Sequence, residues 1–115
     1  MNLTYNDALL CDFYEFTMGN GYLKNGKKDT ISCFDLYFRR VPDHGGFAIA
    51  AGLQSVIEYI RDLHFGPEDI EYLRSKKFFS EEFLDYLANF KFECEVRAVP
   101  EGTPIFPNEP IVTVK

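Results

Sequence analysis

Arg39 and Arg40 stand side by side at the end of an apolar run, in the stretch LYFRRVPDHGGF, and the glycines Gly45 and Gly46 follow a few residues later. A guanidinium is a planar fork of donors that matches phosphate oxygens, and it keeps its charge throughout the physiological range. Adjacent glycines let backbone approach a ligand closely and offer N–H donors. The plainer reading is that strand-end arginines are solvated or pair weakly with one of the 18 acids. From these residues alone the plainer reading is the better one. His44, beside the glycines, could bind phosphate or carry a proton. It has no visible base or orienting acid and reads as a loop residue.

A second stretch, CDFYEFTMGNGY, sets Asp12 and Tyr14 near the start of a helix. An acid there suits the helix dipole. A tyrosine could pack in the core or stack on a flat heteroaromatic ring, and residue type alone favours the core. Lys24, Lys27 and Lys28 read as a solvated loop, His64 as a helix C-terminal residue, and Glu101 and Glu109 as turn residues. Cys11, Cys33 and Cys94 are odd in number and widely spaced. They are expected to be reduced thiols packed as small hydrophobes in a reducing compartment. No metal-ligand spacing is present.

These residues need elements to hold them. Asn6 or Asp7 is expected to cap a first helix running to about Leu23, with Leu10, Phe13, Tyr14 and Thr17 on its apolar face. TISCFDLYFRR is predicted as a strand with Phe34, Leu36 and Phe38 on one face and Cys33, Asp35, Tyr37 and Arg39 on the other. Arg39 and Arg40 would then point to opposite faces. VPDHGG breaks that strand. A second helix is predicted from about Phe47 to Leu63, with Ile49, Leu53, Val56, Ile57 and Ile60 as its core stripe. Gly66-Pro67 opens a third helix, and Ser80 caps a fourth that buries Phe83, Leu84 and Leu87. From Phe90 onward the pattern is strands and turns, ending in IVTVK. The fold class is α+β, in one domain spanning 1–115.

The bulk numbers agree with a packed protein. The 115 residues carry 46% hydrophobic and 17% aromatic side chains, with 12 Phe and 7 Tyr. That is ample for a core, and the Phe count implies either a core larger than the length needs or apolar surface kept for another domain or subunit. A net charge of −6 argues against a nucleic-acid or membrane-surface partner, each of which needs a basic footprint. No signal peptide or spanning segment is visible, so a cytoplasmic protein is expected. The strand pattern still running at Lys115 suggests part of a longer chain.

Four segments, LLCDFYEFTMGNGY, FDLYFRRVPDHGGFAIAAGL, FLDYLANFKF and VPEGTPIFPNEPIVTV, together resemble the N-terminal region of nicotinate phosphoribosyltransferase, in order and in spacing. Cys11 stands where the family usually has Thr. The resemblance implies the mixed helix-and-strand N-terminal domain of a type II phosphoribosyltransferase, its α/β barrel lying outside this chain. It implies an enzyme joining nicotinate to 5-phosphoribosyl diphosphate, coupled to ATP hydrolysis and needing Mg²⁺, with an active site shared across a homodimer. By carry-over, Tyr14 would stack on the pyridine ring, Asp12 would help position it, and Arg39, with Arg40, would contact the donor's phosphates. The family's phosphorylated histidine falls outside this chain, so no catalytic residue is assigned and the chain is expected to be inactive alone. Two alternatives stay open: a nicotinamide or quinolinate relative, and a non-catalytic dimerising module.

Overall fold

The computed structural model describes residues 7–115; the proposed cap Asn6 lies outside them. In chain order the elements are α1 (Phe13–Lys24), β1 (Phe34–Leu36), a 3-10 turn (Pro42–His44), β2 (Ala48–Ile49), α2 (Leu53–Asp62), α3 (Pro67–Ser75), α4 (Glu81–Ala88), β3 (Val96–Ala98), β4 (Pro104–Ile105) and β5 (Val112–Val114). The chain divides into two compact units. One comprises the residues up to Thr30 together with Arg61–Phe92, and the other Ile31–Ile60 with Glu93–Lys115.

The helical unit holds the main apolar core. Ile70 and Leu73 of α3 and Phe83, Leu84 and Leu87 of α4 close on Phe16 of α1, with Leu9, Leu23, Phe65 and Phe79 packed around them. Leu73 and Leu84 are each only 1% exposed. Edge-on ring pairs extend the core, Phe16 to Phe65 at 6.0 Å and Phe65 to Phe90 at 5.6 Å, a geometry that suits the ring quadrupole. Local signals set the ends of α3 and α4. Pro67 opens α3, and the Asp69 carboxylate accepts from the Gly66 N–H at 2.8 Å. The Ser80 hydroxyl accepts from the Phe83 N–H at 3.2 Å, which satisfies one orphan amide of α4.

The first helix differs from expectation. It begins at Phe13 with Asp12 as N-cap, while residues 8 and 9 form a turn. Its buried positions are Phe16 and Asn20; Leu10 is 82% exposed. The buried face lies about a quarter of a turn from the one predicted, and it carries Asn20 inward with Phe16. Its Oδ1 accepts from the Ser80 amide at 3.2 Å and the Ser80 hydroxyl at 3.1 Å. A buried asparagine that meets its partners outweighs the hydrophobic pattern.

The strand unit holds two small antiparallel sheets, β1-β5-β3 and β2-β4. Register across the first places Phe34 opposite Val114 and Leu36 opposite Val112, with Asp35 opposite Thr113. The polar face is stitched by Thr113, whose hydroxyl donates to Asp35 Oδ1 at 2.6 Å. The predicted long strand is thus only three residues, and Phe34 and Leu36 remain exposed.

The second predicted helix starts six residues late. Ala48 and Ile49 are strand, and the ladder continues as the Ala50 N–H donates to the Thr103 carbonyl at 2.9 Å. Gly52, at φ +100, then breaks the backbone before α2, a conformation few other residues accept. No residue of α2 is fully buried, so the expected core stripe is only half-covered. Cys11, Cys33 and Cys94 are unpaired, as expected of free thiols, but all three are exposed and not packed as small hydrophobes.

Candidate functional site

Asp12 and Tyr14 open α1 in the helical unit. Asp12 is extended (φ −64, ψ 138), and its side chain caps no amide at the positive end of the helix. Tyr14 is 56% exposed, which sets aside the core reading. The neighbouring carboxylates, Glu15 first and Asp12 second, raise the phenol's pKa above its ordinary value. Tyr14 is therefore a neutral, accessible ring with a donor hydroxyl. That suits stacking on a flat ligand. Cys11 beside it is raised too, by partial burial and then by Glu15 and Asp12, so the thiol form is favoured.

Arg39 and Arg40 lie in the strand unit, past the end of β1, where Arg39 forms a bend. Strand alternation stops at Leu36 and does not govern which way they point. Both are exposed, and the ion pairs found among the described residues go to Arg61, Arg74 and Arg97 instead. Two fixed positive charges without an acidic partner among the described residues form a basic spot on an acidic chain. The 3-10 turn follows, with Asp43 (φ 57) and His44 (φ 55) both left-handed.

The glycines divide their roles. A Cβ at Gly45 would sit 2.9 Å from Val41 Cγ1, and the Gly45 N–H already donates to the Pro42 carbonyl at 3.1 Å. Gly45 is therefore a turn residue and no free donor. Gly46 faces open space.

Two supporting residues escaped sequence reading. Glu101 is more than a turn acid: its Oε2 accepts from the Gly52 N–H at 3.2 Å and the Leu53 N–H at 3.1 Å, capping α2 from a distant turn. Asn108 donates its backbone N–H to the Phe38 carbonyl at 2.8 Å, directly before the arginines. Only the Pro-Asn turn signature in PNEP marks that position in the sequence. Among the described residues no three His, Cys, Asp or Glu side chains gather to hold a metal ion, so none is put forward as a Mg²⁺ ligand. Among them, too, no helix is long and apolar enough to cross a membrane.

The chain is thus a mixed helix-and-strand domain that exposes an aromatic–acid pair in one unit and an arginine pair in the other. Residues 9–115 match the family described as the nicotinate phosphoribosyltransferase N-terminal domain, and the chain belongs to that family. It is 43% identical over 105 residues to a nicotinate phosphoribosyltransferase of Mycobacterium tuberculosis, covering 91% of this chain and 22% of that protein. The Bacillus subtilis nicotinate phosphoribosyltransferase is 34% identical over 108 residues, covering 94% and 22%. The crystal structure of the human nicotinic acid phosphoribosyltransferase superposes with a TM-score of 0.80 at 34% identity, covering 90% of this chain and 21% of that one. The chain thus spans about a fifth of the length of these relatives.

Proposed function

We propose that this chain supplies the base-stacking and phosphate-contacting groups of a nicotinate phosphoribosyltransferase, which forms nicotinate mononucleotide and diphosphate from nicotinate and 5-phosphoribosyl diphosphate. The observation that carries the reading is the match over residues 9–115, which includes Tyr14, Arg39 and their surroundings. Tyr14 offers its exposed ring to the pyridine, and Asp12 at the positive end of α1 orients it. Arg39, with Arg40, contacts the donor's phosphates. As the glycosidic bond breaks, negative charge grows on the diphosphate, and a fixed guanidinium is worth most at that point. ATP hydrolysis and Mg²⁺ belong to the whole enzyme, as does the homodimer whose site two subunits share. The chain alone is inactive, because about four fifths of the relatives' length lies outside it.

The test is a chimera in which this chain replaces the matching fifth of the Bacillus subtilis enzyme. Nicotinate mononucleotide formation by the chimera, with none from the isolated chain, is the expected result. Turnover by the isolated chain would remove the idea that it is one part of a site. A folded chimera that is inert while the parent is active would remove the enzymatic reading and leave a non-catalytic module.

A further inference from the structure

The arginine pair leaves β1 through a short stretch with few anchors. Ile111 donates its N–H to the Leu36 carbonyl at 2.8 Å, and Asn108 donates to the Phe38 carbonyl at 2.8 Å. β1 ends at Leu36 and β5 begins at Val112, so the bond to Phe38 lies beyond the ladder and comes from the turn at Pro107 and Asn108. Asn108 is left-handed at φ 63, a conformation asparagine tolerates better than most residues.

Pro107 and Pro110 carry no N–H, so neither can replace that anchor. Phe38 is the last half-buried residue before the exposed Arg39 and Arg40. Beyond it the next main-chain bond on this stretch is the one inside the turn, from Gly45 to Pro42.

We infer that Asn108 is a positioning residue for the arginine pair: its left-handed backbone holds the Phe38 carbonyl and so fixes where Arg39 and Arg40 emerge. This rests on the reading of those arginines as phosphate contacts. The Asn108 side chain has no part in it; only the backbone conformation does. Glycine at 108 keeps that conformation, alanine strains it and valine excludes it.

Nuclear magnetic resonance on the chain tests this with Asn108→Gly, Asn108→Ala and Asn108→Val. Backbone order at residues 38–41 is expected to fall in Asn108→Val and, less, in Asn108→Ala. It should stay at the wild-type level in Asn108→Gly, with the β5 amides unchanged throughout. Under titration with inorganic diphosphate, the arginine resonances of the valine and alanine variants should need about three- to tenfold more ligand, a loosened charge-assisted contact; glycine should restore the wild-type response. Equal order at 38–41 in all four proteins overturns the positioning role. Loss of order in Asn108→Val, with diphosphate binding equal in wild type and Arg39→Ala, leaves the anchor standing and overturns the phosphate reading.

Discussion

Asn20 joins two segments of the helical unit through one buried amide. Its Oδ1 receives both Ser80 donors, and its Nδ2 points at the Phe78 carbonyl across a long 3.5 Å. Ser80 in turn caps Phe83. Asn20→Leu leaves the Ser80 amide and hydroxyl unmatched and is expected to cost about 1–3 kcal/mol, the penalty of a buried polar group without a partner; denaturant unfolding would measure it. Asn20→Asp, which keeps an acceptor toward Ser80, should lose less. Tyr14 gives a second residue-level prediction. Glu15 is the main reason its phenol is raised, so Glu15→Gln should lower the pH at which the Tyr14 phenolate forms. Tyrosine-labelled resonance spectra resolve this ring from the other six tyrosines of the chain. A titration unmoved by Glu15→Gln would put the cause elsewhere. Tyr14 was a candidate from its type and from the resemblance, but its exposure was not legible in advance, and neither was the role of Asn20. Asn20 lies inside the predicted helix, but its partner Ser80 is sixty residues away, and the exposure of Tyr14 depends on which face of α1 the core takes.

Local signals carried the elements where the partner lies within a few residues. Gly66-Pro67 and Ser80 marked the starts of α3 and α4, because both devices act within the first turn. Phe47–Gly52 read as helix because its strand character depends on Thr103, Pro104 and Ile105, far along the chain. The cap of α2 is equally remote. Glu101→Gln keeps the shape but not the charge, and it should destabilise by less than Glu101→Ala, for which about 0.5–2 kcal/mol is the scale of a lost cap. Thermal unfolding of the two variants would check that order. Between α3 and α4, Arg74 bridges Glu71 at 2.6 Å and Glu81 at 3.0 Å. The guanidinium lowers the pKa of the Glu81 carboxyl below its ordinary value, and Arg74 is itself raised. A depressed carboxylate contributes its stability above the unfolded glutamate range and loses it as pH falls through the depressed value. Wild type should therefore lose part of its Tm advantage over Glu81→Gln on acidification below that range. The pair is exposed, so the difference should be small and should shrink with added salt.

Across the whole molecule, the α+β class and the family were legible because the motifs span nearly the full chain, whereas the site was legible only as residue types. Asp12 and Tyr14 belong to one unit and Arg39 and Arg40 to the other. No run of sequence could show Arg39 to be exposed without an acidic partner, since that depends on where 18 acids fold. The two pairs make separable demands on an enzyme that contains this chain. In the chimera with the Bacillus subtilis enzyme, Arg39→Ala should raise the KM for 5-phosphoribosyl diphosphate or lower kcat by roughly 10–100-fold, as expected for one charge-assisted contact of about 1.5–3 kcal/mol. It should leave the KM for nicotinate nearly unchanged. Tyr14→Ala should do the reverse, raising the KM for nicotinate by about five- to a hundredfold, the scale of one lost stacking contact of ~1–3 kcal/mol. Tyr14→Phe should keep most of the affinity, because the ring and not the hydroxyl carries the stack. If Arg39→Ala lowers only Tm while both KM values hold, Arg39 is a structural residue. If both variants raise both KM values together, the loss is one of folding or assembly, and the division of labour between the two pairs fails.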